Sequence, residues 1–209
     1  MIPPDFDRAR IYALERLERE LAPNLFYHSL AHTRDEVVPA AQRLAALEGV
    51  EDILLLLLLT AAYYHDIGFL RSREDHERAS VGIAQELLPT FDYRPAQIRI
   101  IDQTILSTAA SETPRTLLEM ILVDADFDVL GTEAYHRRSL DLRRELEAFG
   151  TTYGDEEWYR IQVNLLETHR YCTRAAHRLR DAGRQRNLAL ARGLLAACRS
   201  RAGAAATPP

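Results

Sequence analysis

Apolar side chains recur along this chain with the spacing of helices rather than that of strands. Ile11, Leu14, Leu17 and Leu21 fall three and four residues apart and predict a first helix, starting near Asp5 or Asp7 and broken by Pro23-Asn24. A second helix is expected from about Ser29 or Thr33 to Leu47, closed by Glu48-Gly49. A leucine-rich helix from Ile53 to Tyr64 follows, and another begins near His76 after the polar loop Arg71 to Asp75. Beyond a break at Pro89 to Pro95, helices are predicted over Pro95–Ser107, Pro114–Leu130, Glu133–Phe149, Glu156–His169 and Thr173–Arg201. No stretch alternates apolar and polar residues between turn signals, so no strand is predicted. The expected fold class is all-α: one domain over residues 1–201, a bundle of about nine helices, with 202–209 as a flexible C-terminal tail.

Composition narrows this picture only slightly. A chain of 209 residues holds one domain with a sizeable core more readily than two. Leu, Ala, Arg and Glu dominate while Gly and Pro are few, which favours helices. The net charge of −5 gives no general attraction to nucleic acid or to anionic membranes, so neither is an expected partner. The Ile53–Tyr64 run contains six consecutive leucines but is apolar for about a dozen residues, against the roughly twenty of a spanning helix, and predicts a buried core helix. Cys172 and Cys198 make no framework and read as apolar side chains in a reducing, cytoplasmic setting. No signal peptide is visible in Met-Ile-Pro-Pro-Asp-Phe-Asp.

Three polar clusters stand where apolar helices should have none. In Tyr27-His28-Ser29-Leu30-Ala31-His32 the histidines are four apart, so a helix would put them on one face, and a later helix start would leave His28 flanking from a loop. A chance pair or a cap remains open there beside metal binding. In Ala61-Ala62-Tyr63-Tyr64-His65-Asp66-Ile67-Gly68 a buried helix delivers an imidazole and a carboxylate to the core's edge, and Gly68 is expected to supply the conformation that ends it. A solvated helix end is the alternative. In the segment Leu122 to Gly131, Asp126 has Leu122, Val123, Val129 and Leu130 three and four residues away and should face inward. Asp124 and Asp128 share the opposite face. Two imidazoles and two carboxylates suit manganese, iron, zinc, nickel, cobalt or magnesium rather than a thiolate-bound zinc.

The order His32, His65-Asp66, Asp126 resembles the signature of the HD-domain superfamily of metal-dependent phosphohydrolases. Tyr27-His28-Ser29-Leu30-Ala31-His32 is similar to the Tyr-His-Asn-x-x-His motif of its cyclic-nucleotide phosphodiesterase branch, with Ser29 in place of the asparagine. Asp124-Ala125-Asp126-Phe127-Asp128-Val129-Leu130-Gly131 resembles a stretch of small bacterial HD phosphohydrolases, and Asn187-Leu188 is similar to a late motif of that group. The resemblance implies an HD-type bundle with His32, His65, Asp66 and Asp126 as metal ligands. It implies Asp66 and His28 as catalytic groups, one handling the attacking water and the other the leaving oxygen. His76, Glu77 and Asp124 are expected to serve a second ion or to support the ligands from behind. No histidine lies between Asp66 and His76, which argues against cyclic-nucleotide hydrolysis. Arg71 and Arg73 are candidates to neutralise a substrate phosphate, with solvated loop charges as the plain alternative. The arginines of the last helix read as a solvated face, and His136, His169 and His177 receive no role.

The expected activity is divalent-metal-dependent hydrolysis of a phosphate ester, with a small phosphorylated molecule of nucleotide type as partner. The alternative is a metal-containing sensor that binds a nucleotide or protein without turnover.

Overall fold

The computed structural model describes residues 3–205, and among these the chain is all-helical, with nine α-helices and no strand. Helix α1 (Phe6–Glu20) starts where the Asp5 carboxylate accepts from Arg8 N. Its buried face is Ala9, Ala13 and Leu17, and the expected core residue Ile11 is exposed. Alanines win because α1 lies close against its neighbour: the Tyr64 hydroxyl donates to the Ala9 carbonyl at 3.0 Å. A π-helical turn, His32–Val37, runs directly into α2 (Val38–Glu48), which Gly49 ends at φ 72°.

Helix α3 (Asp52–Tyr64) carries the leucine run and buries Leu57, Leu58, Ala61, Ala62 and Tyr64. The nineteen residues Asp52–Leu70 are apolar enough by length and composition to cross a membrane, and 61% of the apolar window is buried inside the fold. Helices α4 (His76–Leu87), α5 (Pro95–Leu106), α6 (Leu117–Asp126), α7 (Tyr135–Ala148), α8 (Asp155–Thr168) and α9 (Arg174–Ala205) complete the chain. α9 extends beyond the expected end at Arg201 as far as Ala205, so the expected tail is helical in its first part, and residues 206–209 lie outside the described ones.

One boundary differs from expectation in a way that matters. α6 starts at Leu117, because Thr116 and Glu119 form a capping box, and it stops at Asp126 rather than Leu130. A 3₁₀ turn, Asp128–Gly131, then drops the chain onto α9. There Arg43 and Arg180 both grip the Asp128 carboxylate, at 3.0 Å and 2.7 Å. A Cβ built on Gly183 would stand 1.9 Å from the Gly131 carbonyl oxygen, so only glycine allows that approach.

The interior forms two clusters. The larger joins α1 to α6 through residues such as Leu44, Leu58, Ile83, Ile101 and Leu122. The smaller joins Leu130, Tyr135, Leu166, Leu188 and Ala191 at the α7–α8–α9 end. Burying each such large side chain contributes about 2 kcal/mol. Asp126 and the turn after it pass from the first cluster to the second, and the polar cluster described next sits at this seam.

Candidate metal centre

Three distant segments deliver the central side chains. His32 opens the π-helical turn and is 2% exposed. Its Nδ1 faces Glu36 Oε2 at 3.1 Å, and the buried Arg138 holds Glu36 in turn at 2.9 Å. His65 ends α3, and its Nδ1 donates to the Ala62 carbonyl at 2.8 Å. That bond fixes the tautomer and leaves the Nε2 lone pair pointing inward. Asp66 follows, and Asp126 closes α6.

His32, His65 and Asp66 each bring one ligand atom within 4.8 Å of the other two, and Asp66 Oδ2 lies 3.8 Å from His32 Nε2. Asp126 Oδ1 stands 3.0 Å from His32 Nε2 and 3.8 Å from His65 Nε2. His65 Nε2 and Asp66 Oδ2 are 3.3 Å apart without the alignment of a hydrogen bond, and both atoms are buried with no partner. The other oxygen of Asp66 turns away, toward His76 Nε2 at 3.5 Å, and Glu77 lies 3.6 Å from that same nitrogen. His76 is placed by Asp75, whose left-handed backbone at φ 52° turns the chain into α4.

Buried imidazoles and carboxylates shift one another's protonation here. Burial alone would lower the His32 pKa, but hydrogen bonds and charge from Asp126 and Glu36 outweigh it and raise the ring to about 10. His65 is raised too, its burial overcome by Asp66. Burial pushes Asp66 and Asp126 upward, yet the facing imidazoles hold both below the usual carboxylate range. Such a set attracts protons, and a divalent cation competes with them for the same lone pairs. Two imidazole nitrogens and two carboxylates are also the donor chemistry of first-row divalent ions. These residues therefore fit a metal ion.

His28 stands beside this centre in the loop before the π-turn. Its Nδ1 lies 2.5 Å from Glu145 Oε1, and Glu145 also accepts from the backbone nitrogens of Tyr27 and His28. Glu145 is 1% exposed and is held below the ordinary glutamate pKa: burial opposes this, and His28 and the two N–H donors prevail. The His28 ring stacks on Phe69 at 4.6 Å, and Phe69 stacks on His76 at 4.1 Å. The backing carboxylate leaves Nε2 as the nitrogen available for proton transfer.

Other expected residues are placed elsewhere. Asp124 is not part of the centre: it is fully buried and accepts 2.7 Å bonds from Cys172 N, Thr173 N and Thr173 Oγ1 at the start of α9. It lies on the opposite face of α6 from Asp126, as helical geometry requires. Arg71 pairs with Glu86 at 2.6 Å on the surface, so its charge is already answered away from the centre. Arg73 lies 4.6 Å over the Phe149 ring at the end of α7. Gly68 does not adopt a left-handed conformation. Its role is close approach, since a Cβ there would lie 1.9 Å from the His76 carbonyl oxygen. The Ser80 hydroxyl completes that junction, accepting from Gly68 N and donating to the His65 carbonyl. His177, to which no role was given, pairs with Asp181 one turn on at 2.8 Å, on the surface.

Glu36, Arg138 and Glu145 were not anticipated. Glu36 was within reach of sequence reasoning, four residues after His32. Glu145 and Arg138 carry no local signal, being more than a hundred residues from the groups they hold. No family model, no curated protein and no solved structure matches this chain.

Proposed function

We propose that the chain is a divalent-metal-dependent phosphohydrolase of the HD-domain type, acting on a small phosphate ester such as a nucleotide. The observation that carries this reading is the pair of buried, partnerless atoms, His65 Nε2 and Asp66 Oδ2, facing His32 and Asp126. A fold tolerates such orphaned polar atoms where a ligand satisfies them.

His32, His65, Asp66 and Asp126 would hold the ion, and His76 with Glu77 beside it would serve a second one. When bound, such an ion supplies Lewis-acid polarisation of the phosphoryl group and a more acidic water. The remaining work falls to the protein's own groups. Asp66, ionised at neutral pH, orients the attacking water through the oxygen turned toward His76. His28 gives its Nε2 proton to the leaving oxygen as the phosphorus–oxygen bond breaks, and Glu145 on Nδ1 orients the ring for it. Phe69 packs against His28 and His76 and fixes the planes of both rings.

The test is metal analysis of the purified protein, followed by a phosphoester screen with manganese, cobalt, nickel, zinc, iron and magnesium. Turnover that chelator and Asp66→Ala both abolish supports the reading. Metal content unchanged in His65→Ala and Asp126→Ala would overturn it. Tight metal binding with no turnover above the Asp66→Ala control would leave a nucleotide- or partner-binding sensor.

A further inference from the structure

A cavity of about 200 Å³ opens beside the centre, with His28 and Asp126 in its lining. Its walls include Phe127 and Val129 after α6 and Leu165 on α8, which pack on the smaller core, and Leu142 on α7. It also meets two buried polar side chains, Tyr135 and Gln162, each 4% exposed. The Tyr135 hydroxyl donates to Gln162 Oε1 at 2.7 Å. That bond fixes which way the amide faces and leaves the Nε2 hydrogens with no protein acceptor among the described residues. The amide nitrogen is not sealed off from open space, so a molecule in the cavity can meet its hydrogens. Nothing in the hydrolytic chemistry uses this pair.

The rest of the lining is mostly apolar: the Arg138 nitrogens are engaged by Glu36, Asp141 and the Phe26 and Tyr27 carbonyls, and the Ser139 hydroxyl donates to the His136 carbonyl, with the Tyr27 side chain beside them. So the cavity suits neither a phosphate nor a sugar-like polyol. Its volume is below the roughly 300 Å³ at which drug-sized pockets begin, which limits the occupant to about one ring system. Its position on the His28 side is where the alcohol part of a phosphate ester leaves.

We propose that this cavity is the leaving-group subsite, and that the substrate is a phosphate ester whose alcohol carries one compact, apolar ring with a hydrogen-bond acceptor on its edge for Gln162 Nε2. The inference rests on the phosphohydrolase reading for its phosphate end and on the cavity alone for its ring end.

Binding of non-hydrolysable probes separates the two. Affinities of manganese-loaded protein are measured for methylphosphonate, phenylphosphonate and 4-pyridylphosphonate. The ring should tighten binding about tenfold over the methyl probe, and the ring nitrogen should add about tenfold more. Leu142→Trp, which fills the cavity, should bring phenylphosphonate down to the methyl probe. Val129→Phe serves the same purpose if Leu142→Trp does not fold. Gln162→Leu should erase the pyridyl advantage while the phenyl advantage persists. Equal binding of methyl and phenyl probes, or a phenyl preference unmoved by filling the cavity, would overturn the subsite. A pyridyl advantage that survives Gln162→Leu would overturn the acceptor. If no phosphonate binds, phenol alone is titrated and followed by NMR at Leu142 and at the Gln162 side-chain amide. Shifts there keep the ring site and discard the phosphohydrolase reading, and their absence discards both.

Discussion

Asp124 and Asp126 are separated by a single residue, yet the fold assigns them unrelated work, and substituting each to alanine should have opposite effects. Asp124 is fully buried and accepts three 2.7 Å hydrogen bonds from Cys172 and Thr173. Asp124→Ala strands two backbone N–H donors, while the Thr173 hydroxyl can turn to another acceptor. A buried donor without a partner costs about 1–3 kcal/mol, and the start of α9 loses its anchor as well. The sum is about 3–5 kcal/mol, a large share of a typical stability of about 5–15 kcal/mol. At this chain length each kcal/mol corresponds to about 2–4 °C, so the melting temperature should fall by roughly 10 °C. Metal content below the transition should remain near that of the parent. Asp126→Ala removes the carboxylate facing His32 and His65 but strands no backbone N–H, so metal should be lost with a smaller shift in the apo melting temperature than Asp124→Ala gives. Circular dichroism melts in chelator and metal analysis of the loaded protein read the two effects independently. Asp124→Ala that loses its metal but keeps its melting temperature would refute the assignment, as would Asp126→Ala that melts 10 °C lower and binds metal normally.

Three further outcomes follow from the same contacts. Gly68→Ala pushes a Cβ to 1.9 Å from the His76 carbonyl oxygen, so it should cost about 1–3 kcal/mol of stability and disturb His76 against Asp66, visible as lower metal retention in a chelator competition. Glu145→Gln should keep the metal but slow turnover about ten- to a hundredfold, and unchanged turnover would remove Glu145 from the proton path. His169 is lowered to about 4, first by burial and then by Arg184 and Arg170. Because the unfolded chain binds this proton nearer pH 6.5, the stability His169 supports is present above that pH and lost as pH falls toward 4. After solvent screening this amounts to about 1–2 kcal/mol, and an NMR titration midpoint above 6 would contradict it.

Helix content was legible because apolar spacing over ten or more residues leaves little choice of element. The sidedness of Asp126 against Asp124 was legible for the same reason, since two residues along a helix turn a side chain about 200°. The close approach of α1 was not legible: Ile11 satisfied the apolar stripe, but contact with Tyr64 favours the smaller Ala9 and Ala13. The early end of α6 depends on Arg43, Arg180 and the Gly131–Gly183 contact, all set by tertiary packing. Arg71 illustrates the limit for charges, because a loop arginine finds the nearest exposed carboxylate, here Glu86, fifteen residues on.

The π-helical turn gives the centre an unusual dependence on chain length. A π-turn holds one residue more than an α-turn, seen here in the bond from Val38 N to Thr33 O. Removing any one residue between Thr33 and Glu36 would let the segment close into an uninterrupted α-helix, with no loss of core side chains. Everything before the deletion would then rotate by about 100° about the helix axis relative to α2. His32 would swing out from between Asp66 and Asp126, and the Tyr27-His28 loop would leave Glu145. A one-residue deletion at this place would thus yield a folded bundle with a dismantled centre, so lineages of this chain should vary in residue identity there before they vary in length.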